Sequence, residues 1–290
     1  MNCCLTPSPK RRSLSNTTRQ SIKKKEIKMQ TFNIKRFWQT MKWMMASSRK
    51  EYITAVSSIF FVFTLVFCAF TFTFTGEAKS LEYVAGFCSG LLSVFVSIGG
   101  CAIASNMKTK QQIIMVKMLP SSNLEKFLSR FLYVTVIWYV GGLVAYCAAD
   151  LLNMLVRLIT NHAPVESATA IMFDVLFRHD HVVINGSSRA EFDVLFYLFG
   201  VWAHSFYILG GTLLRKQQFV ITTLTLIALG LAFVYLMGVL AGMFGEDMFM
   251  TLTFVYILDA VFVALTLMDY WISYKLYANM QVINNKWFNI

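Results

Sequence analysis

The chain has 290 residues, is 57% hydrophobic and only 14% charged, and carries a formal net charge of +11. Soluble domains carry about 25% charged residues, so this composition excludes an ordinary water-soluble domain and points to a membrane protein. The positive charge is concentrated: residues 1–50 hold 13 of the 26 Lys and Arg but one acid, Glu26.

Residues 1–30 are rich in Ser, Thr and Lys, including Lys23, Lys24 and Lys25. They read as a disordered basic tail on the cytoplasmic side, touching anionic lipid rather than nucleic acid. No apolar stretch in them resembles the core of a cleaved signal, so none is expected. Over residues 31–50, Ile34, Phe37, Trp38, Met41, Met44 and Met45 recur at helical spacing, with Lys35, Arg36 and Lys42 on the other face. That pattern predicts an amphipathic helix lying in the membrane interface.

Residues 51–278 form the transmembrane domain, with six apolar spans at about 53–75, 83–105, 131–152, 193–214, 219–243 and 251–273. Each is long enough to cross a hydrocarbon core of ~30 Å as a helix, and runs of this length exclude barrel strands. The expected fold is therefore all-α and polytopic. With the amino terminus inside, the inner segments collect 22 of the 26 Lys and Arg and three acids, Glu26, Glu51 and Glu125. The positive-inside bias then predicts that both termini, including the short tail 279–290, are cytoplasmic. Gly86-x-x-x-Gly90, extended by Ser93 and Ser97, and Gly238-x-x-x-Gly242 mark faces that allow close helix approach.

The loop between the second and third spans, 106–130, is charged and broken by Pro120. Pro120 cannot continue a helix and pushes Leu119 towards extended geometry. Ser122 and Glu125 then have the spacing of a capping box. Helix, hard break and new helix would make a stiff cytoplasmic knob running into the third span.

The longest outer loop is expected over 153–192. Ala168, Ile171, Met172, Val175 and Leu176 predict a short helix there. His179-Asp180-His181 follows without a further ligand cluster, so no metal site is expected. The six cysteines show no CxxC spacing and read as small apolar side chains. Acidic and basic groups inside the spans are functional suspects because burying them in lipid is costly. Asp150 and Asp269 lie near span ends, within reach of water. Asp259 is deeper, shares a helix face with Thr266 and Tyr270, and either lines a polar path or pairs across helices, with His204 as its candidate partner. A structural hydrogen-bonded Asp259 is the alternative.

Catalysis finds no footing. There is no His-Glu-x-x-His and no Gly-x-Gly-Asp. The neighbours His204 and Ser205 project about 100° apart on a helix and form no dyad. No Gly-x4-Gly-Lys-Ser/Thr is present, so the chain cannot bind nucleotide in that way. No enzymatic activity and no cofactor are expected.

Leu119-Pro-Ser-Ser-Asn-Leu-Glu-Lys-Phe-Leu-Ser-Arg130 resembles the coupling segment after the second span of type-2 ATP-binding-cassette (ABC) transporter permeases of bacteria. Leu209-Gly-Gly-Thr-Leu-Leu-Arg-Lys216 is more loosely similar to the end of a fourth span in related bacterial membrane proteins. The resemblance, covering most of residues 30–278, implies a permease subunit of an ATP-driven exporter in the bacterial plasma membrane, moving a lipidic, peptide-like or drug-like solute. It implies a separate ABC ATPase subunit, docked at Leu119, Pro120, Ser121, Ser122, Glu125, Lys126 and Arg130, and a second permease, most simply another copy of this chain. The long loop 153–192 departs from the family pattern. A non-transporting membrane scaffold or assembly protein has the same topology and is the alternative.

Overall fold

The computed structural model describes residues 32–73, 78–107, 109–160, 167–177, 183–184, 187–214, 216–244 and 252–280. The tail 1–30, the His179-Asp180-His181 run and residues 281–290 lie outside them. The described elements are α1 (Ile34–Thr73), α2 (Ala78–Gly99), a 3₁₀ stretch (Gly100–Met107), α3 (Lys110–Met118), α4 (Asn123–Leu132), a π turn (Tyr133–Ile137), α5 (Trp138–Thr160) and α6 (Ala168–Phe177). A two-residue hairpin of β1 (Val183–Ile184) and β2 (Ser187–Ser188) precedes α7 (Arg189–Leu213), α8 (Gln218–Phe244) and α9 (Leu252–Asn279). Among the described residues six helical stretches are long and apolar enough to cross a membrane, so the chain is a multi-pass membrane protein whose described part is all-helical apart from that hairpin.

Two stretches are longer than a bilayer requires. α1 has 40 residues, about 60 Å of helix, or roughly twice the thickness of the hydrocarbon core. The run from α4 through the π turn to α5 spans 38 residues. These two run parallel, in a register set by side chains. Arg36 meets Glu125, Ser48 meets Arg130, Tyr52 meets Ile137, and Thr71 meets Asn153. Phe63 and Phe67 both stand edge-on to Tyr146, with ring centroids 5.4 and 5.7 Å away. The excess length of both therefore projects from the same end of the bundle.

This geometry changes the reading of residues 31–50. No separate interfacial helix is formed over the described part; those residues are the first turns of α1. No glycine or proline interrupts 34–73, so nothing breaks the helix. Its apolar stripe of Phe37, Met41 and Met44 is buried against protein instead of lying on lipid.

Two apolar cores follow. One, at the projecting end, gathers Met44, Ile103, Ile113, Phe127, Tyr133 and Ile208. The other, towards the opposite end, is built on Phe63, Phe67, Cys88, Leu92 and Tyr146. α9 packs along α7, and α7 packs on the 3₁₀ stretch. Glycine is required at that last contact. A Cβ on Gly211 would sit 2.7 Å from the Cys101 carbonyl oxygen, and one on Gly100 would sit 2.9 Å from that of His204. In the Leu209–Lys216 segment Gly211 thus lets two backbones touch, while Gly210 makes room for the Thr222 side chain. By contrast, Gly86, Gly90, Gly238 and Gly242 have nothing within 4 Å, so within this chain those motifs bring no helices together.

At the far end Asp150 is buried, whereas the sequence placed it in reach of water. Its carboxylate accepts from Ser167 Oγ (2.7 Å), Ala168 N (3.1 Å) and Thr169 N (2.9 Å), and so holds the start of α6. α6 matches the short helix expected in the outer loop. Asp150→Ala should loosen α6 by ~1–2 kcal/mol, as the loss of a helix cap does. The expected readout is hydrogen exchange over 168–177 faster by roughly tenfold, with the knob end unchanged. Unaltered exchange would show that α6 is held by apolar packing alone.

Candidate functional site

The projecting knob is built from local signals. Thr109 caps α3 with Gln112 in one capping box, and Ser122 caps α4 with Glu125 in another. Between them Leu119 is extended, at φ −59° and ψ 133°, as the following proline demands. The break expected at Pro120 and the capping box at Ser122 and Glu125 are both formed.

Glu125, Lys126 and Arg130 do not face outward. Glu125 is fully buried. Its two oxygens accept from Ser122 N (2.9 Å), Asn33 N (2.7 Å), Arg36 Nε (2.7 Å) and Arg36 Nη2 (2.6 Å). One carboxylate thereby caps α4 and clamps the start of α1 with a charge-assisted fork. Burial pushes the Glu125 carboxyl up, but the Arg36 guanidinium and the Asn33 and Ser122 N–H groups outweigh it and hold its pKa below the usual carboxylate value. The clamp is therefore ionised at neutral pH.

Arg130 is 1% exposed. Its guanidinium donates to Ile103 O (2.9 Å), Ala102 O (2.7 Å), Ser48 Oγ (2.8 Å) and Ser105 Oγ (2.6 Å). It also lies 5.1 Å from the centroid of the Tyr133 ring. One side chain thus ties α1, the 3₁₀ stretch and α4 together. Lys126 Nζ donates to Lys117 O, and Lys117 Nζ donates to Met280 O at the end of α9. Phe127 stands edge-on to Tyr274 and Tyr277 at 5.5 Å, and Phe131 to Tyr270 at 5.2 Å. The knob is therefore braced by both α1 and α9.

Beside the exposed polar side chains of Lys110, Gln111, Gln112, Lys117 and Asn123, the knob presents apolar ones. Ile114, Met115, Met118 and Leu124 are exposed large hydrophobic side chains, Met118 at 77%, and Pro120 is exposed beside them. Of the residues expected to face a partner, only Pro120 does so fully; Leu119 and Ser122 are half-buried, and Ser121, Glu125, Lys126 and Arg130 are buried. Sequence reasoning missed Ile114, Met115, Met118 and Leu124. The signal was available: the Thr109–Gln112 cap sets the phase of α3, and with Ile113 and Val116 inward, 114, 115 and 118 must point away.

The polar groups of the spans are less connected than expected. His204 uses Nε2 towards Thr135 Oγ1 and Nδ1 towards Val96 O, both at 3.2 Å, so no His204–Asp259 pair is made. Thr135 lies in the π turn, a local widening of the helix that often accompanies functional positions. The Thr266 hydroxyl donates to Phe262 O of its own helix. Asp259 is half-buried, and its Oδ1 has no partner. Asp269, expected to reach water, is buried and accepts from Ser205 Oγ at 3.1 Å. Asp259, Thr266 and His204 therefore share no hydrogen bond. Among the described residues no cluster of His, Cys, Asp and Glu could hold a metal ion.

No family model matches the chain, and no curated protein or solved structure is significantly similar to it.

Proposed function

We propose that the chain is the membrane-spanning subunit of an ATP-driven exporter of the ABC type, coupled through its knob to a separate ATPase. One observation carries the reading: a knob immobilised from within by Glu125 and Arg130 offers an apolar tip of Met115, Met118 and Leu124 to its surroundings. A loop that merely joined two spans would need neither two capping boxes nor a buried guanidinium. A soluble partner gains apolar burial at such a tip. Movement of the tip is transmitted through α4 into α5 and, by the aromatic contacts, into α9.

In this reading the knob and both termini are cytoplasmic, in agreement with the clustering of Lys and Arg, and the membrane is the bacterial plasma membrane. The chain works with a second permease, most simply a copy of itself. Residues Leu119, Pro120 and Ser122 border the docking surface. Ser121, Glu125, Lys126 and Arg130 hold its shape.

The test is purification of the tagged full chain in a mild detergent, with mass spectrometry of what accompanies it and an ATPase assay of the complex. An ABC ATPase in the complex is the expected result. A complex that contains other membrane proteins but no ATPase would favour the non-transporting scaffold instead.

A further inference from the structure

A second feature sits beside the knob, where the spans end. A cleft of about 930 Å³ opens between α1, the α2–3₁₀ junction and the α7–α8 turn. Its lining joins the polar side chains of Lys50, Glu51, Lys216 and Gln217 to the apolar ones of Ala55, Ile98, Trp138, Phe219 and Val220. Such a mixture of charged and apolar side chains suits an amphiphile of the headgroup region of a bilayer. We infer that this cleft holds an anionic phospholipid, its phosphate between Lys50 and Lys216 and an acyl chain along Ala55, Phe219 and Val220.

Several independent features support the assignment. The two lysines outnumber the single glutamate, so the rim favours an anion. The first turn of α8 (Gln218, Phe219 and Val220) lines the cleft, and the first turn of a helix offers backbone N–H groups with no helical acceptor. Trp138, 9% exposed, adds its indole ring to the apolar wall.

The cationic corner is also held in place. Gln217 has φ 50°, the one positive value among the described non-glycine residues, a conformation that costs roughly 1–2 kcal/mol for a residue with a Cβ. The turn is locked around it. Gln218 Nε2 donates to Gly211 O (3.1 Å) and Leu214 O (2.7 Å), and Ile221 N donates to Gln217 O (3.1 Å). Backbone strain tends to persist where the surroundings serve a function. Here it fixes the turn that carries Lys216, which lines the same cleft as Lys50. The inference requires only that the bundle is membrane-embedded, so it does not depend on the transport reading or on which leaflet is involved.

Native mass spectrometry of the full-length chain in mild detergent tests it, with phosphatidylglycerol or phosphatidylcholine added at equal concentration. Phosphatidylglycerol should be retained in preference to phosphatidylcholine by on the order of tenfold, the attraction two lysines exert on an anionic headgroup. The double variant Lys50→Gln/Lys216→Gln should erase that preference, and Lys42→Gln, an exposed lysine elsewhere on α1, should not. Thr54→Trp, which fills the apolar part, should expel both lipids without altering the thermal unfolding temperature. Equal retention of the two lipids, or a preference that survives the double variant, would overturn the inference. So would full displacement by millimolar inorganic phosphate, which would mark an anion site with no lipid component. Dimers that the double variant dissociates, with no lipid retained, would assign the cleft to a second copy of the chain.

Discussion

On the proposed coupling to a separate ATPase, the double variant Met118→Asp/Leu124→Asp is expected to lose that ATPase while keeping its fold. Both side chains lie at the tip of the knob, Met118 at 77% and Leu124 at 47% exposure, and neither belongs to the buried core beneath. Surface replacements of this kind usually change stability by within ~0.5 kcal/mol. At an interface the same replacements put two carboxylates where apolar burial is needed. Loss of a central interface contact costs at least ~2 kcal/mol, so ATPase recovery and stimulation should fall by on the order of thirtyfold or more. The measurement is ATPase co-purification and turnover with parent and variant at matched membrane levels. A variant that retains its ATPase and stimulates it like the parent would remove the knob from the interface.

Replacing Arg130 with leucine should act in the opposite manner and weaken the fold itself. The guanidinium satisfies Ile103 O, Ala102 O, Ser48 Oγ and Ser105 Oγ at the meeting point of three elements. Without it the Ile103 and Ala102 carbonyls lose a buried donor, and each group left unsatisfied costs about 1–3 kcal/mol. Partial relaxation brings the expected loss to about 3 kcal/mol, which lowers the unfolding temperature by on the order of 10 °C. Arg130→Lys should fall between parent and leucine variant, because an ammonium keeps the charge but cannot reproduce the planar fork. Thermal unfolding in detergent, followed by tryptophan fluorescence, reads both. An unchanged midpoint in the leucine variant would mean that water replaces the guanidinium at no cost, and the knob would lose its proposed rigidity.

Other parts of the knob show why the site was only half legible. The break at Leu119-Pro120 and the Ser122–Glu125 cap are contained within seven residues, and both form as their spacing dictates. Glu125 and Arg130 looked like surface charges because a charged loop is usually solvated. Their partners, Arg36 and Asn33 on one side and Ser48, Ala102 and Ile103 on the other, are 25 or more residues away in sequence. No spacing rule links such residues. Polar positions in the spans were misjudged for the same reason: depth was inferred from rank along a helix, whereas burial of Asp150 and Asp269 depends on α6 and on Ser205.

From the amino-acid sequence alone follow the all-helical membrane class, the positions of six spans and the helix break in the loop between the second and third. Each of these reflects hydrocarbon thickness, proline chemistry or capping, which act over one helix or one turn. Tertiary structure alone decided that residues 34–50 continue α1 and brace the knob, that Glu125, Lys126 and Arg130 turn inward, and that Met115, Met118 and Leu124 stand exposed on it. Those outcomes depend on which distant element completes the hydrogen bonds of a buried charge, and only the packed chain supplies that element.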